Sequence, residues 1–246
     1  MLIALLADVH ANRQAFEACL AHARTVRAER FVLLGDFAGY GGDPAWTLET
    51  VMRLVAEGAI AVLGNHDQAI GGPNTQMHPD AQLVAEWTRG QLGVAERDFL
   101  ARLPFTAREQ DRLYVHADAS GPERWNYVTS SEDAARSMMA TDARVTFCGH
   151  VHLPTIYGLS ATAKVTSFTP IAGAAVPLLN WRRWHVVLGS VGQPRNGDPA
   201  ASYAVYDTEK GEITFHCVPY DIEAAAAAIR GNGLPLWFAD RLFTGK

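Results

Sequence analysis

Leu2-Ile-Ala-Leu-Leu-Ala-Asp8-Val-His10-Ala-Asn12 sets the reading of the whole chain. The run is apolar without alternation through Ala7, as expected of a strand buried on both faces. It then ends abruptly in two residues of metal-ligand type. The same arrangement returns four times. Phe31 to Leu34 leads into Gly35-Asp36, and Ile60 to Leu63 into Gly64-Asn65-His66-Asp67. Leu113 to Val115 leads into His116, and Val145 to Cys148 into Gly149-His150-Val151-His152. In α/β folds ligands bind at the carboxyl ends of strands. Five of the nine histidines fall in these motifs, so they are not scattered. Any one motif is weak, since Asn and Asp are ordinary turn formers and a lone histidine is more often a packed one. Their joint occurrence is what carries weight.

Working outward, the first 67 residues read β-α-β-α-β. Asn12 to about Ala28 has helical spacing at Phe16, Leu20, Ala23 and Val26, with Asn12 as N-cap. Pro44 to about Glu57 is a second helix, with Asp43 as N-cap and Gly58 as its stop. Gln68 to Pro79 is rich in Gly, Pro and Asn and reads as an irregular loop beside the substrate. Asp80 to about Leu100 is helical, broken near Gly93. Trp87 is expected in the core or over the site. Short strands follow at Phe105 to Arg108, Leu113 to His116, Val145 to Cys148, Thr155 to Tyr157, Lys164 to Phe168, His185 to Ser190, Ser202 to Asp207 and Glu212 to Val218. A helix from Ser131 to about Ala140 interrupts them, and Lys210-Gly211 is a hairpin turn. Helices from Asp221 to Arg230 and around Pro235 to Leu242 close the sequence. Alternation followed by many strands implies two packed sheets flanked by helices in a single domain, 1–246.

The composition bounds the function. With 48% hydrophobic and 19% charged residues, the chain is of soluble globular type. A net charge of −5 offers no general attraction to nucleic acid or to an anionic membrane. Three cysteines without paired spacing argue against a disulfide framework and for a reducing, cytoplasmic setting. Cys148 is read as strand core. No apolar run reaches the length of a membrane span.

Asp67 apart, the motifs supply two aspartates, Asp8 and Asp36, with Asn65 and five histidines, a nitrogen and oxygen set without thiolate. Such a set suits two divalent cations of the Mn, Fe, Zn, Ni or Co kind and does not choose among them.

The series Asp-x-His, Gly-Asp, Gly-Asn-His-Asp, His and Gly-His-x-His resembles the calcineurin-like metallophosphoesterases. Gly189-Ser-Val-Gly-Gln-Pro-Arg195-Asn-Gly-Asp-Pro199 is further similar to small prokaryotic phosphodiesterases of the diadenosine-tetraphosphatase-like branch. The resemblance implies an α/β (α+β) fold, a four-layer β-sandwich flanked by helices. It implies that Asp8, His10 and His152 bind one metal, that Asn65, His116 and His150 bind the other, and that Asp36 bridges them. His66 would remain free to protonate the leaving group. The reaction implied is in-line attack of a metal-bridging hydroxide on a small phosphate ester, nucleotides included, most often a diester. The segment after Gly35-Asp36 lacks the Asp and Arg of the protein-phosphatase branch. Asp43 and Asp67 are the candidates to orient His66.

Substrate contacts are expected from Asn12 and from Arg195, whose guanidinium can make paired bonds to phosphate. Trp181-Arg182-Arg183-Trp184 reads as an interface or edge strand, with base stacking as the lesser alternative. His22, His78, His185 and His216 are given surface or packing roles. The rivals to a phosphodiesterase are a phosphomonoesterase or dinucleoside polyphosphate hydrolase with the same site, a nuclease, and a non-catalytic scaffold. A homo-oligomer is compatible with all of them.

Overall fold

A computed structural model describes residues 1–72 and 79–246. Two six-stranded sheets lie face to face between helical layers. β1 (Leu2–Leu6), β2 (Arg30–Leu33) and β3 (Ile60–Ala61) run parallel and are joined by α1 (Arg13–Thr25) and α2 (Pro44–Ala56). α3 (Asn65–Gly71), α4 (Pro79–Gln91) and α5 (Val94–Arg102) follow. Then come β4 (Thr106–Glu109), β5 (Arg112–Val115), α6 (Ser131–Met139) and β6 (Val145–Cys148). β7 (Thr155–Leu159), β8 (Val165–Phe168), β9 (Ala175–Pro177) and β10 (Arg183–Val187) come next. β11 (Ala201–Asp207), β12 (Glu212–Val218), α7 (Ile222–Gly231) and α8 (Leu236–Asp240) complete the order. The first sheet runs β3-β2-β1-β11-β12-β9 and the second β4-β5-β6-β10-β7-β8.

The period-two pattern of β1 explains the layering. Ile3, Leu5 and Ala7 face the second sheet, where they meet Tyr114, Phe147, Val186 and Leu188. Ala4 and Leu6 face the other way and pack under Phe16, Leu20, Leu48 and Val51 of α1 and α2. A strand with apolar residues on both faces can sit only between two layers, which is why Leu2 to Ala7 shows no alternation. α6 covers the outer face of the second sheet through Ala134 and Met138. α7 and α8 form a separate cluster with Val84, against which Trp87 and Tyr40 pack.

Caps behave largely as expected. Asn12 Oδ1 accepts from Ala15 N at 3.1 Å, and Asp221 Oδ1 from Ala224 N at 2.9 Å. Ser130 and Asp133 form a reciprocal capping box. Asp43 stands at the start of α2 but its side chain makes no cap bond.

Two expectations need correction, and one strand was not foreseen. The supposed loop at Gln68 to Pro79 is helical through Gly71; the rest, with His78, falls at positions 73–78, outside the described residues, before α4 begins at Pro79. Asp67 makes the helix possible by accepting from Gly64 N at 3.1 Å. The Trp181–Trp184 segment is not an edge. Arg183 and Trp184 open β10, an interior strand between β6 and β7. Trp184 is buried with its indole N–H on Leu179 O, while Trp181 is 73% exposed. β9 was not foreseen: a three-residue strand with Pro177 at its end carries too little pattern to read.

Candidate metal centre

All five motifs lie at the same end of the sandwich, at the carboxyl ends of β1, β2, β3, β5 and β6. Backbone bonds continue past the strands and pin the loops to one another. Asp8 N donates to Gly35 O, His10 N to Asp36 O, and Gly149 N to His116 O, at 2.9 to 3.1 Å. Asp8, His10, Asp36, His150 and His152 all hold positive φ, from 50° to 67°. This left-handed backbone costs about 1–3 kcal/mol per non-glycine residue and turns each side chain back over its own strand end. The glycines beside them supply room. A Cβ on Gly64 would lie 2.2 Å from Asp36 N, and one on Gly149 would lie 2.5 Å from Asp8 Oδ2.

The ligand atoms converge in two adjoining groups. In the first, His152 Nε2 is 3.2 Å from Asp8 Oδ1, and His10 Nε2 is 3.1 Å from His152 Nε2. In the second, His116 Nε2 is 3.2 Å from Asn65 Oδ1, 3.1 Å from His150 Nδ1 and 3.3 Å from Asp36 Oδ2. Asp36 Oδ2 is also 3.8 Å from His10 Nε2, so one oxygen faces both groups. The other oxygen accepts from His66 N at 2.8 Å.

The donor set fits divalent cations. His116 Nδ1 meets Leu34 O at 2.6 Å, His152 Nδ1 meets Gln193 O at 2.6 Å, and His150 Nε2 meets Trp125 O at 2.9 Å. A carbonyl can only accept, so each contact places the proton on that nitrogen and leaves the other nitrogen as a bare lone pair aimed into the cluster. Ring nitrogens facing one another at 3.1 Å repel unless a proton or a cation lies between them. The charges agree. Asp8 and Asp36 are wholly buried, and among the described residues neither has a lysine or arginine partner. Burial opposes their ionisation, yet the surrounding histidines hold both carboxyls below the usual range. Burial likewise opposes protonation of His116, but Asp36 and Asp8 carry its pKa up to about 9, so its Nε2 draws a positive charge, a proton or a cation, on the cluster side. Burial and then His116 push His150 down to about 3.

His66 is buried and stands against Tyr40, ring centroids 4.4 Å apart, and His10, 5.0 Å apart. Its Nδ1 is buried without a partner. Neither proposed orienting carboxylate reaches it. Asp67 is committed to Phe37 N, Ala38 N and Gly64 N, and burial, then Asp36, raises it to about 7. Asp43 lies at the start of α2 beside Arg13 and Glu17. Packing against Tyr40 and the close backbone of Gly39 hold the His66 ring instead. Burial lowers its pKa, with Asp36 opposing.

Asn12 and Arg195 differ in outcome. Asn12 donates to Gly192 O at 2.9 Å and to Tyr220 OH at 3.4 Å besides capping α1. Arg195 lies near His10, His66 and Tyr40, where its charge disfavours protonation of both rings. Several residues at the site had no signal in the sequence. Tyr127 stacks on His150 at 4.2 Å and is 52% exposed. Ser190 Oγ donates to Asp8 O and accepts from Gln193 N, both at 2.8 Å. Arg241 reaches in from beyond α8 to Gln193.

A buried, carbonyl-braced cluster of this composition at a sandwich end defines a metal-dependent phosphoesterase class, and the chain belongs to the calcineurin-like phosphoesterase superfamily, whose domain model matches residues 1–211. The chain is similar to a metallophosphoesterase from Sphaerobacter thermophilus, 35% identical with a TM-score of 0.89 over 100% of this chain and 99% of that one. An uncharacterized protein of Methanocaldococcus jannaschii is 28% identical over 251 residues, 100% of this chain and 98% of that protein. A hypothetical protein from Pyrococcus horikoshii OT3 shares the fold at 19% identity, TM-score 0.80, over 100% and 98% of the two chains. Among the described residues no helix is long and apolar enough to cross a membrane.

Proposed function

We propose that this protein is a dinuclear-metal phosphodiesterase. The single observation that supports it most is the placement of Asp36 Oδ2 between two groups of braced, lone-pair-bearing ligands. Asp8, His10 and His152 would hold one cation, Asn65, His116 and His150 the other, with Asp36 shared. Cations bound there would draw charge from phosphoryl oxygens and lower the pKa of a water between them. Asn65 contributes a neutral oxygen, which keeps the site cationic enough for an anionic ester.

His66 would give its proton to the departing oxygen. With Nδ1 buried, Nε2 is the nitrogen left to face the substrate. Burial makes the protonated ring a stronger acid than free imidazole, and the Tyr40 ring keeps it in place. Residues 1–246 are taken as one working unit, cytoplasmic and not membrane-bound. A diester is preferred to a monoester because the segment Gly189 to Pro199 is similar to small prokaryotic phosphodiesterases.

The test is hydrolysis of bis(p-nitrophenyl) phosphate beside p-nitrophenyl phosphate by metal-stripped protein reloaded with Mn²⁺. Turnover of the diester is expected, and His66→Ala should lower it by roughly 10²–10⁴-fold while metal content stays unchanged. Turnover of the monoester alone would make the protein a phosphatase. No turnover with Mn, Ni, Zn or Fe would sink the catalytic reading.

A further inference from the structure

Trp125 reaches all three ligands of the second group from one position. Its carbonyl accepts from His150 Nε2 at 2.9 Å. Its ring stands steeply against that of His116, centroids 5.8 Å apart. Its Nε1–H donates to Gln68 Oε1 at 2.9 Å, and Gln68 follows Asn65 by three residues on the same face of α3. Asn65, His116 and His150 come from three separate stretches of chain, and Trp125 is tied to each stretch by a different part of itself. The backbone at this position is unusual. Trp125 holds φ 56° and ψ 33°, left-handed values that a bulky side chain rarely adopts. Such a conformation persists only where its surroundings over-determine it. The loop between β5 and α6 does so. The Asp118 carboxylate accepts from Ser120 N at 2.9 Å and from Arg136 Nε at 3.0 Å, Ala119 N donates to Ser137 Oγ at 2.9 Å, and Val128 is buried with Ala134 and Met138.

The first group has other supports. His152 is braced by Gln193 O, Gln193 N is held by Ser190 Oγ, and His10 Nδ1 lies 3.4 Å from Ala38 O. Ser190 and Gln193 are buried, whereas Trp125 and Asn65 are only half-buried. The bonds from His150 N to the Asp8 carboxylate join the two groups, but they run through the backbone of residue 150 and not through Trp125. A tryptophan kept only to fill space would need neither a left-handed turn nor a carbonyl placed on a histidine nitrogen. Both features cost the free protein something and gain nothing for packing. They make sense where the histidine has to be aimed.

We propose that Trp125 is a positioning residue for the second cation alone: it sets the affinity of the Asn65, His116 and His150 site, while the cation at Asp8, His10 and His152 is held independently of it. This rests on the dinuclear reading above. The physical reason is preorganisation. Ligands that must be ordered at the moment of binding lower the affinity by the cost of ordering them. The carbonyl of Trp125 fixes the tautomer and the ring of His150, its indole limits the room of the His116 ring, and its N–H anchors α3 through Gln68. Loss of the indole therefore frees two of the three ligands at once and leaves the first group braced as before.

Manganese binding by the full chain tests this, measured as bound against free Mn²⁺ by equilibrium dialysis with no ester present. The wild type is expected to take two equivalents. Asn65→Ala removes a ligand of the second cation and so shows which binding step belongs to it. In Trp125→Asn that step should weaken by about 10–100-fold while the other keeps its wild-type value. Asparagine accepts left-handed backbone, so the turn stays and the ring is lost. Trp125→Phe keeps a ring beside His116 but has no donor for Gln68, and it should weaken the same step by less. Gln68→Leu should match Trp125→Phe, and the two together should be no worse than either alone. Melting temperatures of the metal-free proteins establish that they are folded, and Gln68→Leu, which leaves Trp125 in place, carries the test where Trp125→Asn melts early. Equal weakening of both steps, or an unchanged second step, overturns the proposal and leaves the dinuclear reading standing. Selective loss of the second cation without turnover of any ester keeps the proposal and overturns the phosphodiesterase. A wild type that binds fewer than two equivalents overturns both.

Discussion

Two sets of buried histidines in this molecule have opposite chemistry. His116, His150 and His152 each give one ring nitrogen to a backbone carbonyl and turn the other toward carboxylates and each other. His185, equally buried in β10, touches Cys148 Sγ at 3.2 Å and leaves Nδ1 without a partner. Burial is common to both, so burial does not make a ligand. What separates them is the carbonyl brace, which fixes one proton, and, for His150 and His152, the positive-φ turn, which aims the other nitrogen into the cluster of Asp8 and Asp36. His185 lies in a regular strand with only the charge of Asp118 near enough to favour its protonation.

The sharpest way to break the first set is Asp36→Ala. It removes the oxygen that faces both groups, together with the acceptor of His66 N. Metal content should drop and activity should fall by more than the roughly 10⁴-fold that loss of a proton donor can explain. Metal analysis beside kinetics checks it, and retention of both metals would refute the shared-oxygen bridge. Ser190→Ala is gentler. Ser190 ties Asp8 O to Gln193 N, and Gln193 O braces His152, so this variant loosens the backbone of Asp8 and the brace without removing a ligand side chain. Metal affinity should weaken by about 10–100-fold, read by competition with a chelator. An unchanged affinity would mean that the brace does not need its support.

The second set is probed by pH. Burial pushes His185 down to about 4, below the ordinary 6.5. A depressed histidine is neutral in the fold while the unfolded chain takes up a proton. Its contribution to stability is therefore present above pH 6.5 and is lost as pH falls toward 4, about 2 kcal/mol by pH 5. His185→Leu should flatten the fall in melting temperature between pH 7 and pH 5. An equally steep fall in the variant would show that His185 is not the group responsible.

Much of the sandwich was legible because patterns of period two and 3.6 survive in a linear reading. β6 and β12 begin and end where the apolar pattern does, and Gly93 breaks the long helix where its missing side chain suggests. The short β3 and β9 were blurred or missed, since two or three residues carry no period. Trp181 to Trp184 was misplaced for a different reason. Arginine beside tryptophan suggests an edge, yet Arg183 can enter an interior strand because its guanidinium finds the carbonyls of Met138, Thr141 and Ala143.

The metal-type reading of these residues came from local order alone: a strand run and then a ligand, five times over, with a glycine between them in three. That signal is local because each ligand must leave a strand at once to reach the site. Their partners are not local. Leu34 O, Trp125 O and Gln193 O brace histidines from 25 to 82 positions away, and backbone carbonyls carry no residue identity at all. The same holds for Tyr40 behind His66 and for Arg241 beside Arg195. Nothing in their neighbourhoods along the chain marks them, and only closure of α7 and α8 over the end of the sandwich brings them to the chemistry.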